Sequence, residues 1–341
     1  MPRNPVLESA EFISNHSQDV SVPREGIQAA SRLILEAMKQ QRYSTHSWKQ
    51  NDLHPKDASI DALQWVFLVD TLNFSFYHTP PEKPFTVTYR GKAYTGYWSL
   101  CACINRALDE GIPIHTPEFC RDISLEQFRH VFRGDPEGGS VALLEERWRA
   151  VQETGRVIVE KYQGRVENVV RAANHSALEF LKIVTRDFSS FQDEREFCGR
   201  RVQIYKRAQI LIADIWACFD GQSFGRFDDI DEITMFADYR VPQALLHYGC
   251  LQYSPALLEI LGRNEELDAG CRLEIEIRGN SIWSVELVRR EIKAMLEADP
   301  DNGQGLRVNA ILIDFYVWDY SKREEDKMKH LPIHRTRSIY Y

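Results

Sequence analysis

Three stretches of this 341-residue chain set ionisable side chains inside apolar runs, where an unpaired charge costs several kcal/mol. The first is TMFADYRVPQAL, Thr234–Leu245. Here Met235, Phe236 and Ala237 deliver Asp238, then Tyr239 and Arg240, before Val241-Pro242 opens a helix. The second is AILIDFYVWDY, with Asp314 and Asp319. On a helix, Asp314 shares a face with Trp318, and Phe315 with Asp319. The third is VDTLNFSF, where Asp70 and Asn73 lie three apart and Phe74 follows. Aromatic faces accompanied by a few aimed carboxylates suit a planar nitrogenous base. An ionised carboxylate only accepts hydrogen bonds, so it receives the N–H edge of a guanine-like base or pairs with an amine. A carboxylate beside a sugar C1′ stabilises the cationic character that develops as an N-glycosidic bond breaks. It also orients or deprotonates a water, or attacks directly. A phosphate would need Lys or Arg, and IYKRAQI places Lys206 and Arg207 on an otherwise apolar helix.

Each stretch also has a purely structural reading. Asp238 could cap the helix after Pro242, Asp314 could pair with an internal arginine, Asn73 could bond a free carbonyl near a helix end, and Lys206 could extend along an exposed face. What favours function is their combination with Phe236, Tyr239, Phe315, Trp318 and Phe74, as the lining of one pocket. No P-loop, Rossmann glycine fingerprint, H-E-x-x-H, G-x-S-x-G or paired C-x-x-C is present, and no His/Cys/Asp cluster has metal-ligand spacing, so neither a cofactor nor a metal is expected. Locally, Asp238-Tyr-Arg-Val241-Pro-Gln-Ala244-Leu245 resembles the D-x-x-V-x-x-V-like pattern that carries the catalytic aspartate of helix-hairpin-helix DNA glycosylases. No glycine-rich hairpin adjoins it here, so base excision from duplex DNA is not supported.

The elements that must carry these groups read as helices. GIQAASRLILEAMKQ has a 3.6-residue apolar stripe, and SIDALQWVFLVDTLNFSF repeats it from Ser59 to Phe76. Further helices are YWSLCACINRALDEG, ISLEQFRHVFRG, VALLEERWRAVQETGRVIVEKYQG, NHSALEFLKIVTRDF (capped by Asn174 or Ser176), VPQALLHYG, SPALLEILG, SIWSVELVRREIKAMLEA and VNAILIDFYVWDY. FCGRRVQIYKRAQILIADIWACF carries one more. KPFTVTYRGKAYTGYWS alternates instead, is rich in Thr, Val and Tyr, and turns at Arg90-Gly91: a small β-hairpin near residues 84–97. The expected fold is therefore mainly α, a compact helical domain with a minor hairpin. The basic tail HRTRSIYY packs as a terminus or closes over the pocket through His334 and Arg335.

At 43% hydrophobic residues the chain buries a sizeable core, and without a linker, repeat or low-complexity tract it reads as a single domain over 1–341, or as two lobes packed as one. Its 42 Lys and Arg against 50 Asp and Glu give a net charge of -8, which argues against a partner held through many phosphates. Its seven cysteines lack C-x-x-C spacing and read as buried thiols of a reducing compartment. The N-terminus has no apolar signal region and no long apolar run occurs. A cytoplasmic protein without a membrane partner, acting as a monomer, is the expectation.

Longer strings carry a wider resemblance. DTLNFSF (70–76), YRGKAYTGYWSLCACINRALDEGIPI (89–114), YKRAQILIADIW (205–216), ITMFADYRVPQ (233–243), EIEIRGNSIWSVELVR (274–289) and IHRTRSIYY (333–341) together resemble the queuosine salvage protein family over nearly the whole chain. The resemblance implies a mainly helical fold similar to DNA glycosylases. It also implies hydrolysis of the N-glycosidic bond of queuosine 5'-monophosphate, releasing queuine for reinsertion into tRNA. It makes Asp238 the catalytic aspartate and Phe236 the residue that stacks on or lines the base. It places Asp314, Phe315 and Asp319 around queuine, and adds an N-terminal histidine, His54 in DLHPK or else His46 in STHSW. On physical grounds Lys206 is the expected phosphate ligand, and Asn73 joins the substrate-binding set. The competing readings are a helical module that only carries queuine or a nucleotide, a glycosylase acting on a nucleic-acid polymer, and a scaffold.

Overall fold

In a computed structural model, which describes residues 3–41, 44–78, 82–299 and 305–341, the chain is mainly helical: sixteen α-helices and three two-stranded antiparallel sheets among those residues. No helix among them is long and apolar enough to cross a membrane. The chain divides into two compact units, each built from separated segments. One comprises residues 1–44, 193–209 and 230–337, the other 45–192, 210–229 and 338–341.

The first unit is organised on the long helix Arg272–Ala298, against which Pro5–His16 and Arg24–Gln41 pack. Pro5–His16 starts at Asn4, whose side chain accepts the Val6 N–H. Its close approach to the long helix depends on Gly279, since a Cβ there would lie 2.5 Å from Cγ2 of Ile13. Val241–His247 packs on Ala310–Arg323, and Asn309 caps the latter by accepting the Leu312 N–H at 2.9 Å. The sequence reading starts the long helix at Ser281, nine residues late. Leu273-Glu-Ile-Glu-Ile277 alternates like a strand and Gly279 looks like a break, yet both acids are buried and partnered. Glu276 accepts the N–H groups of Gln18, Asp19 and Val20, and Glu274 pairs with Arg278.

The second unit holds the helices Ile60–Thr71, Tyr97–Asp109, Leu144–Tyr162 and Ala177–Asp187. The expected hairpin is present as Thr86–Tyr89 and Lys92–Thr95, turning at Arg90-Gly91 with both residues at positive φ. A second hairpin, Glu194–Phe197 with Arg200–Gln203, lies in the first unit where the reading gave only a helix. The helix expected through Phe76 stops at Thr71. Beyond it, Arg147, fully buried, donates to the carbonyls of Leu72, Phe74 and Ser75, and Ser75 takes positive φ. A side chain thus satisfies the carbonyls that another helical turn would have used.

Five cysteines are buried as expected; Cys198 is exposed at the turn of the second hairpin and Cys271 is half-buried. His334, Thr336, Ser338 and Tyr341 of the tail are all buried, and the Ser75 N–H donates to the Tyr341 carbonyl at 2.9 Å.

Candidate functional site

Residues 233–238 are buried or half-buried yet belong to no helix or strand. Backbone groups in such a segment need partners elsewhere, and here side chains supply them. Gln209, fully buried, accepts the Thr234 N–H at 3.1 Å and donates to Thr234 Oγ1 at 2.7 Å. Asn4 fixes Gln209 in turn, donating to its Oε1 and to the Glu232 carbonyl, both at 2.9 Å. The Phe236 N–H donates to Asp314 Oδ1 at 3.1 Å, and Arg278 Nε donates to the Ala237 carbonyl at 3.0 Å. Asp238 ends the segment. Its Oδ1 accepts the N–H groups of Arg240 and Val241, both at 2.8 Å, at the entry to Val241–His247.

Asp238 therefore does what its structural reading required, and does it with one oxygen. The residue is half-buried while Met235, Phe236 and Ala237 are buried, so the carboxylate stands at the edge of the apolar wall. Asp314 lies behind that edge, 4% exposed. Burial, and then the negative charge of Asp238, push its carboxyl well above the usual carboxylate range. The Phe236 N–H and the Lys206 ammonium act in the opposite direction, and Asp319 adds a smaller upward push. Lys206 is itself buried in the opening turn of Lys206–Cys218, not extended along a surface. The rings of Phe236 and Phe315 lie 6.1 Å apart at 51°, with Phe315 and Asp319 half-buried on Ala310–Arg323. The two helices beside the site are tied together by Tyr248 and Tyr316, whose hydroxyls are 3.3 Å apart, and by His247 and Tyr320 at 3.2 Å. Arg240 pairs with Glu325 at 3.0 Å.

The first unit thus assembles Asp238, Phe236, Asp314, Phe315, Asp319 and Lys206. The other three expected residues belong to the second unit. His54 is buried in an aromatic cage, stacked on Trp48 with centroids 4.1 Å apart and flanked by Trp65, Tyr97 and Trp98. One ring nitrogen lies 2.8 Å from the Trp48 carbonyl and the other 3.0 Å from the Tyr97 hydroxyl. The carbonyl requires Nδ1 to carry the proton, leaving Nε2 to accept from Tyr97. Burial lowers the His54 pKa to about 4, against the opposing pull of the Trp48 carbonyl, so the ring is neutral at pH 7. His46 is exposed and lies 3.8 Å from Asp220. Asn73 is buried and donates to Asp70 Oδ1 at 3.2 Å, and burial of Tyr97, with the charges of Cys101, Asp214 and Asp70 behind it, raises its phenol pKa further above 10.

Sequence reasoning missed Gln209, Arg278 and Asp193. Arg278 is fully buried and its guanidinium pairs with Asp193 at 2.7 Å and with Glu274 at 3.1 Å. The available signal was Glu274 and Arg278 at i,i+4 within an apolar alternation. Gln209 carried no signal, because one amide on an apolar helix reads as exposed.

The arrangement presents two unlike acids beside one base and two stacked-capable rings, a set that fits a planar base attached to a cationic transition state at sugar carbon. Comparison with known proteins agrees in kind. The family model described as queuosine salvage protein matches residues 53–341. A Mus musculus protein named queuosine 5'-phosphate N-glycosylase/hydrolase is 45% identical over 335 residues, covering 98% of this chain and 98% of the relative. A Nematostella vectensis protein of the same name is 44% identical over 340 residues, covering 98% and 97%. One from Sphaerobacter thermophilus is 36% identical over 336 residues, again covering 98% and 97%. With a match of this length, and with such identity along the full chain, the protein belongs to the queuosine salvage protein family.

Proposed function

We propose that this chain hydrolyses the N-glycosidic bond of queuosine 5'-monophosphate, with water as co-substrate and queuine and ribose 5-phosphate as products. The observation that carries the proposal is the pairing of Asp238, held by one oxygen at the edge of an apolar wall, with Asp314, buried behind it and resistant to ionisation. The names and full-length identity of the relatives support the substrate class.

The chemistry narrows what the site must do. Queuine is a 7-deazaguanine, with carbon in place of N7, so protonating N7 to improve the leaving group is not an option. The enzyme must stabilise the ribosyl cation and bind the departing base. In our reading the Asp238 carboxylate faces C1′ and offsets the positive charge as the C1′–N9 bond breaks. The water oxygen then bonds to C1′, Asp238 accepts a water proton, and the electron pair of the broken bond leaves on the base, which takes a proton from solvent as Asp238 returns its own, giving free queuine. Oδ1 is committed to two backbone N–H groups, so Oδ2 is the oxygen for this work. Asp314, inclined to keep its proton, donates to or accepts from the polar edge of the base, and Phe236 and Phe315 line its faces. Asp319 is the acid for the cationic amine of the cyclopentenediol arm. Lys206 balances the carboxylates and is the basic group of this cluster that a 5'-phosphate would meet. The likeness of the fold to DNA glycosylases, and action on a free nucleotide without a stable nucleic-acid partner, belong to the same reading.

Incubating the protein with queuosine 5'-monophosphate and resolving the products by chromatography tests the proposal. The expected result is queuine and ribose 5-phosphate in equal amounts. Tight binding of the nucleotide with neither product formed would identify a carrier instead.

A further inference from the structure

Arg278 is one of the largest fully buried side chains of the molecule, and three of its nitrogens are in use. Nε donates to the Ala237 carbonyl at 3.0 Å, Nη2 to Asp193 Oδ2 at 2.7 Å, and Nη1 to Glu274 Oε1 at 3.1 Å and Asp193 Oδ1 at 3.4 Å. Two buried carboxylates thus clamp a planar cation, and the third edge of that cation meets one backbone carbonyl. That carbonyl belongs to the peptide joining Ala237 to Asp238. A peptide is rigid and planar, so anchoring its oxygen fixes its N–H and the Asp238 Cα as well. On the far side of Asp238, Oδ1 is fixed by the N–H groups of Arg240 and Val241. With the backbone held before the residue and one carboxylate oxygen held after it, the direction of Oδ2 is set.

Building on the reading of Asp238 as the catalytic carboxylate, we propose that Arg278, clamped by Asp193 and Glu274, is a positioning residue that aims Asp238. A lysine would keep the charge but, as a single point donor, could not hold both acids and the carbonyl in one plane. A buried ion cluster is in general weak evidence for stability, because apolar residues of similar volume often do as well. Its attachment to the peptide that carries Asp238 is what points to function. Misplacing a catalytic group by about 1 Å costs roughly a hundredfold in rate.

The test compares full-length wild type, Arg278→Lys, Asp193→Asn and Asp238→Asn by steady-state hydrolysis of queuosine 5'-monophosphate, queuine affinity by calorimetry, and thermal melting. R278K is expected to lower kcat by roughly tenfold to a hundredfold, with KM and queuine affinity within about twofold of wild type. D193N, which leaves the guanidinium in place but loosens its clamp, is expected to lower kcat by a smaller factor with the same unchanged KM. If R278K does not fold, D193N decides by these criteria. A kcat within twofold of wild type in the folded variant, while D238N is inactive, overturns the positioning role. So does a loss of queuine affinity as large as the loss of kcat, which marks general damage to the pocket. Activity retained by D238N would instead remove the reading of Asp238 on which the inference rests.

Discussion

At Asp314 the environment works against the ionised form. Burial and the charge of Asp238 outweigh the Phe236 N–H and Lys206, so the native carboxyl holds its proton to higher pH than the unfolded one. As pH rises through the unfolded carboxyl's range the unfolded chain loses its proton first. Native stability therefore declines with rising pH until the native group also ionises. Asp314→Asn keeps an oxygen acceptor for the Phe236 N–H and has no proton to lose. It is expected to melt above wild type at pH 8 by calorimetry, and the gap is expected to shrink toward pH 4. Nucleotide hydrolysis by this variant is expected to fall roughly tenfold or more, the scale of one lost hydrogen bond involving a charged or acidic partner. A melting difference that does not change with pH would mean that the Asp314 proton contributes nothing. Both acids were legible in the sequence because each interrupts an apolar run. Arg278 and Asp193 were not, because a buried ion cluster looks like ordinary surface charge until the chain brings its members together from 85 residues apart.

Among the elements, five helix starts carried a legible cap. Ser59, Ser124, Ser176, Ser254 and Asn309 each accept a backbone N–H in the first turn of the helix that follows, and each stands immediately before an apolar-periodic run. Ser176, rather than Asn174, caps Ala177–Asp187; Asn174 and His175 instead adopt positive φ ahead of it. The long helix Arg272–Ala298 begins at Cys271 without a side-chain cap, and its opening turns alternate, so its first nine residues were not legible. The second hairpin was hidden by its charge, since Glu194-Arg-Glu and Arg200-Arg-Val resemble a solvated loop more than a strand. Gly279 tests how closely the long helix is packed. In a helix interior, alanine normally gains up to about 1 kcal/mol over glycine. Here the added carbon meets Ile13 at 2.5 Å, 2.7 Å and 2.8 Å from its Cγ2, Cδ1 and Cβ, too close for a side-chain rotation to clear. Overpacking of this kind costs roughly 1–3 kcal/mol. Gly279→Ala is therefore expected to lower the denaturation midpoint in urea, whereas an unchanged or raised midpoint would show that the two helices can separate at no cost.

For the whole molecule, the helical class and the small hairpin were legible in the sequence, but not where the two units divide. Each unit takes its residues from segments more than a hundred positions apart, an interleaving that no composition shift or linker marks. The same interleaving brings Asn4 with Gln209, Asp314 and Arg278 to the one segment 234–238 that carries Asp238, and of these the sequence singled out Phe236, Asp238 and Asp314 but not Asn4, Gln209 or Arg278. The net charge of -8 accords with a small nucleotide rather than a polymer as substrate. The proposed function rests on the Asp238 carboxylate meeting the ribosyl cation. Asp238→Asn retains one amide oxygen to accept the N–H groups of Arg240 and Val241, so the fold should survive and only the charge should be lost. The most direct measurement is the rate of queuine release from queuosine 5'-monophosphate by this variant, beside a wild-type control with matching melting temperature. The account predicts a fall of roughly a hundredfold or more. Release at the wild-type rate from a correctly folded Asp238→Asn protein would contradict it.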